Sequence, residues 1–384
     1  MVQAVSPGEA TFPEHVPLAD EAFAPPEASA APGQRRPGGH PLADEALALR
    51  EASGERASWE ARLLEVGLRQ GQALAGLVDA ADPEGLVLPR NRLLCAGLGL
   101  LSTGAYRALG GARHEDAVER AGALLSLLTK IDDQVIDGVA FHGAGSPPRA
   151  EVEERVHRYL APTLRSLRHG YPVTPEGRCE LAATLGRELR ALAADTERLR
   201  RVQDDIAQGW RVQARAVATL SARPGAVPRD EVERITTAIS AVWLRMMLRV
   251  GELPGDAARG LSPEEVARVG AWGHWIQRAD ALADLGKDTA EGLCSSLPGL
   301  LLWEREPAAY ERACREGDVH WMARKLVEHR IVERMLPAPG QLAALGPATL
   351  GEIPGLFAFI HAFLAGRFPG APAAGAEATA APGG

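Results

Sequence analysis

Cysteine is scarce in this chain, and its placement excludes two kinds of scaffold. Cys95, Cys179, Cys294 and Cys314 stand far apart with no C-x-x-C pair. Neither a disulfide framework nor a zinc site is expected, and a reducing cytoplasm suits such a sequence. Basic charge is also short. The 42 Lys and Arg are outnumbered by 50 Asp and Glu, for a net charge of −8, so the broad basic face of a nucleic-acid binder is not available. Long apolar runs are missing. LLCAGLGLLSTG near residue 93 and GLFAFIHAFLAG near residue 355 fall short of the ~20 residues of a membrane-spanning helix. No basic stretch followed by an apolar one opens the chain, so no signal peptide is expected. G-x-G-x-x-G, G-x-x-x-x-G-K-[ST] and G-x-S-x-G are all absent, which removes the usual signs of a dinucleotide site, a P-loop and a nucleophile elbow. The ten histidines form no H-x-x-x-H or H-x-x-E-H pair.

What is present is helical. Apolar residues recur at spacings of three and four over 57–80, 115–131, 150–168, 176–219, 229–252, 263–291, 306–336 and 348–367. Pro and Gly cluster between these stretches, as in AGSPP, SARPGAVP and GELPG. No run alternates like a strand. An all-α chain of roughly eight to eleven helices is predicted. Composition marks residues 1–54 and 370–384 as unstructured tails around an all-helical domain at 55–369, because Pro, Ala and Gly offer too little apolar surface to offset ordering. The first tail repeats PLADEA at 17–22 and 41–46. That repeat reads as low-complexity drift or as a docking peptide used twice.

Two stretches carry the chemistry. KIDDQVIDG, from Lys130 to Gly138, places Asp132, Asp133 and Asp137 after the apolar run AGALLSLLT. Asp133 and Asp137 are four apart and share a helix face, with Asp132 one step around. Three such carboxylates repel and raise one another's pKa unless a cation joins them, and Mg²⁺ favours carboxylate, water and phosphate oxygen. The second stretch, GHWIQRADALADLGKDTAEGL, carries Asp280, Asp284 and Asp288 at i, i+4 and i+8, with Gly273 and Gln277 on the same stripe and Lys287 beside the last Asp. Trp272, Trp275, Ile276 and Leu282 mark that helix as packed on most sides, so a polar stripe on it needs partners. A solvated face would ordinarily alternate charge sign.

Two acidic helices about 150 residues apart in an all-α chain resemble the class I terpenoid synthase superfamily. The resemblance covers residues ~57–369. It implies a single-domain helical bundle around a central apolar cavity, in which the two helices face each other and hold Mg²⁺, three ions in all, and through them the diphosphate of a prenyl substrate. Three branches fit in part. Asp132-Asp133-x-x-x-Asp137 looks like the first metal motif of microbial terpene cyclases. Asp280, Asp284 and Asp288, with Lys287 and Gly292, take the spacing of their second motif, with Asp where those enzymes have Asn and Ser or Thr. Arg234 sits about where they place a diphosphate-sensing Arg, and Arg367-Phe368 where they place Arg-Tyr. Squalene and phytoene synthases are similar in GxxxQ…DxxxD, matched by Gly273, Gln277, Asp284 and Asp288, followed by Leu297-Pro298; their intervening Arg and Tyr are missing. The tetraprenyl-β-curcumene synthase-like family is similar in its DxxxDxxxD helix and in the small-residue stretch GLGLLSTGAYRALGG at 97–111.

What the resemblance implies is a soluble, cytoplasmic, Mg²⁺-dependent terpene synthase that ionises a linear prenyl diphosphate and cyclises or quenches the cation. Asp132, Asp133, Asp137, Asp280, Asp284 and Asp288 would be metal ligands. Arg234, Lys287 and Arg367 would contact the diphosphate, with Arg278 a weaker candidate. Asp133, Asp284 and Arg234 would be central to turnover. Residues 97–104 and Met246-Met247 would line the cavity or simply pack helices. Asp204-Asp205 reads as a solvated face and His142 as a loop residue. Two other functions stay open: head-to-head coupling of two prenyl diphosphates, and a non-catalytic helical binding module. Active chemistry requires both acidic stripes to converge on a cavity with basic residues beside it. Pairing of two copies also stays open.

Overall fold

The computed structural model describes residues 41–138, 147–337 and 352–367, with only the backbone described for 41–58, 358, 361–363 and 365–367. All regular structure in these residues is helical. The helices are α1 (Pro41–Ala81), α2 (Pro89–Gly97), α3 (Gly99–Ala108), α4 (Glu115–Ile136), α5 (Arg149–His169), α6 (Gly177–Leu192), α7 (Thr196–Leu220), α8 (Arg229–Val250), α9 (Pro263–Ala290), α10 (Leu297–Trp303), α11 (Pro307–Glu316), α12 (Val319–Glu328), α13 (Ile331–Met335) and α14 (Ile353–Arg367). None of the described helices is long and apolar enough to cross a membrane.

Among the described residues fourteen helices exceed the expected number because α2, α3 and α10 fall outside the predicted stretches, and local breaks divide two of those stretches. The stretch 176–219 splits where Ala193 turns extended and Asp195 caps α7 by accepting from the Arg198 N–H at 2.8 Å. The stretch 306–336 becomes three helices, broken at Gly317 (φ 67°) and at Arg330 (φ 55°). A left-handed residue ends a helix, and only glycine takes that conformation without strain. α1 starts at Pro41, ahead of the boundary expected at residue 55. The second PLADEA therefore opens a helix with Pro at its first position; the first copy, like His142 and Phe368, lies outside the described residues.

Two apolar cores organise the bundle. The larger unites α1 to α8 with the first half of α9 and the start of α14, around residues such as Leu101, Leu124, Leu185, Val242 and Met247. The smaller gathers the second half of α9 with α10 to α13, around Leu282, Leu300, Tyr310 and Met322. α9 belongs to both. Val269, Trp272 and Ile276 enter the first core; Ala279, Leu282 and Leu285 enter the second. A capping box of Ser262 and Glu265, with Pro263 following, fixes where α9 begins.

α8 and α9 pack closely along their lengths. A Cβ on Gly273 would lie 2.5 Å from Ala241 Cα, so this crossing requires glycine. Next to it Thr237 Oγ1 meets His274 Nδ1 at 2.9 Å, and Ser240 Oγ donates to Gln277 Oε1 at 2.5 Å. These contacts set the register that aims the Asp stripe. Gly273→Ala is expected to lower stability by about 1–3 kcal/mol through overpacking, read as a shift in the urea midpoint at unchanged slope. An unchanged midpoint would mean that the helices separate freely here.

The stretch at 97–104 is a packing surface. Gly99 lies against the Glu119 carbonyl, Gly104 against Glu352, and Ser102 Oγ donates to the Met247 carbonyl at 2.7 Å.

Candidate functional site

Both acidic stretches open onto one cavity of about 160 Å³. α4 contributes Lys130, Asp133 and Asp137. α9 contributes Gln277, Asp280, Asp284, Lys287 and Asp288. Gln213, Val217 and Leu220 of α7, Thr236 and Ile239 of α8, and Leu293, Ser296 and Leu297 beyond α9 complete the wall. One side is therefore charged and the other largely apolar.

The carboxylates sit at the wrong ends of their helices for a protein alone. Asp133 lies in the last turn of α4 and Asp137 caps it, while Asp284 and Asp288 lie in the last two turns of α9. A helix C-terminus carries partial negative charge, so acidic groups there are unfavourable and a bound cation is favoured. Five carboxylates crowd this space, and their protonation shows the strain. Burial and Asp284 push Asp280 up to about 7. Burial and Asp133 push Asp137 well above the usual carboxylate range, and burial and Asp284 do the same to Asp288. Asp133 is the exception: burial opposes its charge, but Lys130 and Lys287 outweigh this and hold it below the usual range.

Asp133 is gripped from two helices. Lys130 Nζ donates to Oδ2 and Gln213 Nε2 to Oδ1, both at 2.7 Å. Lys287 Nζ stands 3.6 Å from Asp137 and 3.3 Å from Glu291. Two hydroxyls are left over. Thr236 Oγ1 and Ser296 Oγ are buried in the cavity wall without a hydrogen-bond partner among the described residues. A buried hydroxyl without a partner is costly, and both stand in the cavity wall. Lys130→Met would strip Asp133 of its cation inside this poorly hydrated cluster. The side chains of the pair are each 24 % exposed, so a loss of about 2 kcal/mol is expected, measured as a lower melting temperature without metal.

The structure brings together Asp133, Asp137, Asp280, Asp284, Asp288 and Lys287. It does not bring in Asp132. One helical step turns that carboxylate about 100° away, toward Arg178 Nη1 at 3.8 Å and Tyr159. Burial pushes Asp132 up to about 7, and Arg178 is itself stacked 3.7 Å from the Tyr159 ring. Asp132 thus faces α5 and α6 and not the cavity. Arg234 is exposed and outside the lining. It stands two residues from Thr236, on nearly the opposite face of α8. Arg278 donates to the Arg334 carbonyl at 3.3 Å and lines no part of the cavity. Arg367 ends α14, and its side chain lies outside the described residues. Met246 and Met247 are buried in the larger core. Asp205 is no solvated residue, since it pairs with Arg245 at 3.1 Å and Arg249 at 3.3 Å; Asp204 remains exposed beside Arg200.

Lys130, Gln213, Thr236 and Ser296 were not anticipated. Lys130 could have been found, because it precedes Asp133 by three residues, a spacing that lets side chains meet on a helix. The other three come from α7, α8 and the turn after α9, and only the tertiary fold assembles them.

No protein-family model matches this chain, and no curated protein matches its sequence.

Proposed function

We propose that this chain is a Mg²⁺-dependent class I terpene synthase with the single-domain bundle of that superfamily, acting on a linear prenyl diphosphate. One observation carries the reading: Asp133 and Asp137 from α4 and Asp280, Asp284 and Asp288 from α9 meet across one cavity beside Lys130 and Lys287. A helical binding module with two solvated acidic faces has no need of that convergence.

The donor set suits a hard cation, being carboxylate and hydroxyl oxygen without thiolate or imidazole. Asp133, Asp137, Asp280, Asp284 and Asp288 would hold it. No three such groups among the described residues already enclose one point. Mg²⁺ commonly uses one or two carboxylates and completes its shell with water and phosphate. When bound, the metal supplies positive charge to the departing diphosphate.

The chain's own residues do the rest. Lys130 and Lys287 add fixed positive charge where the leaving group becomes more negative. Thr236 and Ser296 offer hydroxyl donors to phosphate oxygen. Val217, Leu220, Ile239 and Leu297 keep water from the cation left behind. At about 160 Å³ the cavity is below the roughly 300–1,000 Å³ of drug-sized ligand sites. It suits the diphosphate end of the substrate, and the prenyl chain would need further room.

Head-to-head coupling is the second reading, and a specific observation favours it. Gly273 permits the α8–α9 approach and Gln277 lines the cavity beside Asp284 and Asp288, so each position of GxxxQ…DxxxD serves the site.

The experiment is incubation of the purified chain with Mg²⁺ and geranyl, farnesyl, geranylgeranyl or geranylfarnesyl diphosphate, with EDTA controls and mass spectrometry of extracts. A metal-dependent product of unchanged carbon number supports the synthase. Doubled carbon number supports coupling. Without diphosphate release from any of the four, the binding module takes precedence.

A further inference from the structure

Both carboxylate oxygens of Asp133 are already engaged by the protein itself. Lys130 Nζ donates to Oδ2 and Gln213 Nε2 to Oδ1, each at 2.7 Å. Lys130 comes one turn earlier on α4, a spacing at which side chains meet, and Gln213 reaches across from α7. The other lysine of the cavity is held more loosely. Lys287 Nζ stands 3.6 Å from Asp137 and 3.3 Å from Glu291, and Gln134 Nε2 of α4 donates to Glu291 Oε1 at 3.2 Å. Ammonium and amide groups thus join the ends of α4 and α9. Among the described residues no three carboxylates enclose one point.

We propose that Lys130 is an internal counter-ion. It holds Asp133 in the empty cavity, competes with a divalent cation for that carboxylate, and releases it when an anion such as diphosphate takes over the ammonium. The inference rests on the reading of this cavity as a magnesium and diphosphate site, and adds that its own lysine makes each ligand depend on the other.

The chemistry of the pair supports the exchange. A charge-assisted hydrogen bond of 2.7 Å is a strong one. A metal ion on the same carboxylate would meet the ammonium charge at close range and be repelled. Lysine is a point charge on a flexible stem and binds phosphate as readily as carboxylate. Lys130 lines the cavity, so an anion bound there lies beside its ammonium. Gln213 is uncharged and does not repel a metal; it keeps its hold on Oδ1 while Oδ2 is freed. A cation arriving alone has to break an internal ion pair. An anion arriving alone faces five carboxylates. Together each removes the obstacle to the other, and such coupling is reciprocal.

The test is titration calorimetry of Mg²⁺ into the full chain and into Lys130→Met, with and without saturating inorganic pyrophosphate. The two chains are compared at equal free ion concentrations, so the complex that forms in solution cancels. Lys130→Met is expected to bind Mg²⁺ about tenfold more tightly than the wild type without pyrophosphate, and about tenfold more weakly with it. Lys130→Gln keeps a hydrogen-bond donor for Asp133 but no charge. It should show the same pair of opposite signs, and it carries the test if the Met variant does not fold. A change of one sign in both conditions, as a merely neighbouring charge would give, or no change in either, overturns the exchange and leaves the metal site standing. No Mg²⁺ binding to the wild type in either condition overturns the metal site and this inference with it.

Discussion

Asp284→Asn should lower metal-dependent turnover on the order of 10²- to 10³-fold, the scale of losing one principal electrostatic group from a site, and should raise the melting temperature of the metal-free protein. The two effects share a cause. Asp284 is the neighbouring charge that most raises Asp280 and Asp288. Asn keeps the shape and removes that repulsion, so stability rises by about 1–2 kcal/mol, or roughly 1–3 °C for a chain of this length. Asp133→Asn should lose as much activity but should not gain stability, because Lys130 and Gln213 hold the charged form at 2.7 Å. Thermal scans with EDTA, next to the turnover assay, separate the two variants. Wild-type activity in Asp284→Asn would end the metal-site reading.

Protonation should set metal affinity close to neutrality. Asp280 titrates at about 7 in the fold, against an ordinary 3.8, and Asp137 and Asp288 are also raised. A ligand carboxylate must lose its proton to bind metal. Mg²⁺ affinity is therefore expected to fall about tenfold from pH 8 to pH 6 through Asp280 alone, and further through its neighbours. Stability without metal runs the other way. Between pH ~4 and ~7 the folded chain keeps a proton that the unfolded chain has lost, so stability decreases as pH rises, by up to about 1.4 kcal/mol per pH unit. Melting temperatures at pH 6 and pH 8, with and without Mg²⁺, check both signs. A metal-induced rise in melting temperature that is equal at the two pH values would remove these carboxylates from the binding site.

Periodicity made the helices legible, because a 3.6-residue repeat survives in any sequence that buries one face. The Asp280–Asp284–Asp288 stripe was legible for the same reason, and it does face one cavity. Breaks were harder to read: Arg330 takes a left-handed conformation that its type does not announce. Adjacent charges were harder still. The pair Asp132-Asp133 reads as one motif, yet 100° of rotation sends the first toward Arg178 and the second into the cavity. Arg234 failed likewise, since its position in the chain resembled a sensor while its helix face pointed outward. The uncapped hydroxyls of Thr236 and Ser296 are a property of the packed structure, and no spacing in the sequence encodes them.

α9 divides its apolar residues between two cores, and the acidic cavity lies where they meet. Mutual repulsion among the carboxylates weakens that seam, while Ser295 and its bonds to Leu220 and Ala222 stitch it. An occupant that neutralised the seam would join the cores into one cooperative unit. Ligand binding would then register as a higher and sharper unfolding transition than that of the empty protein.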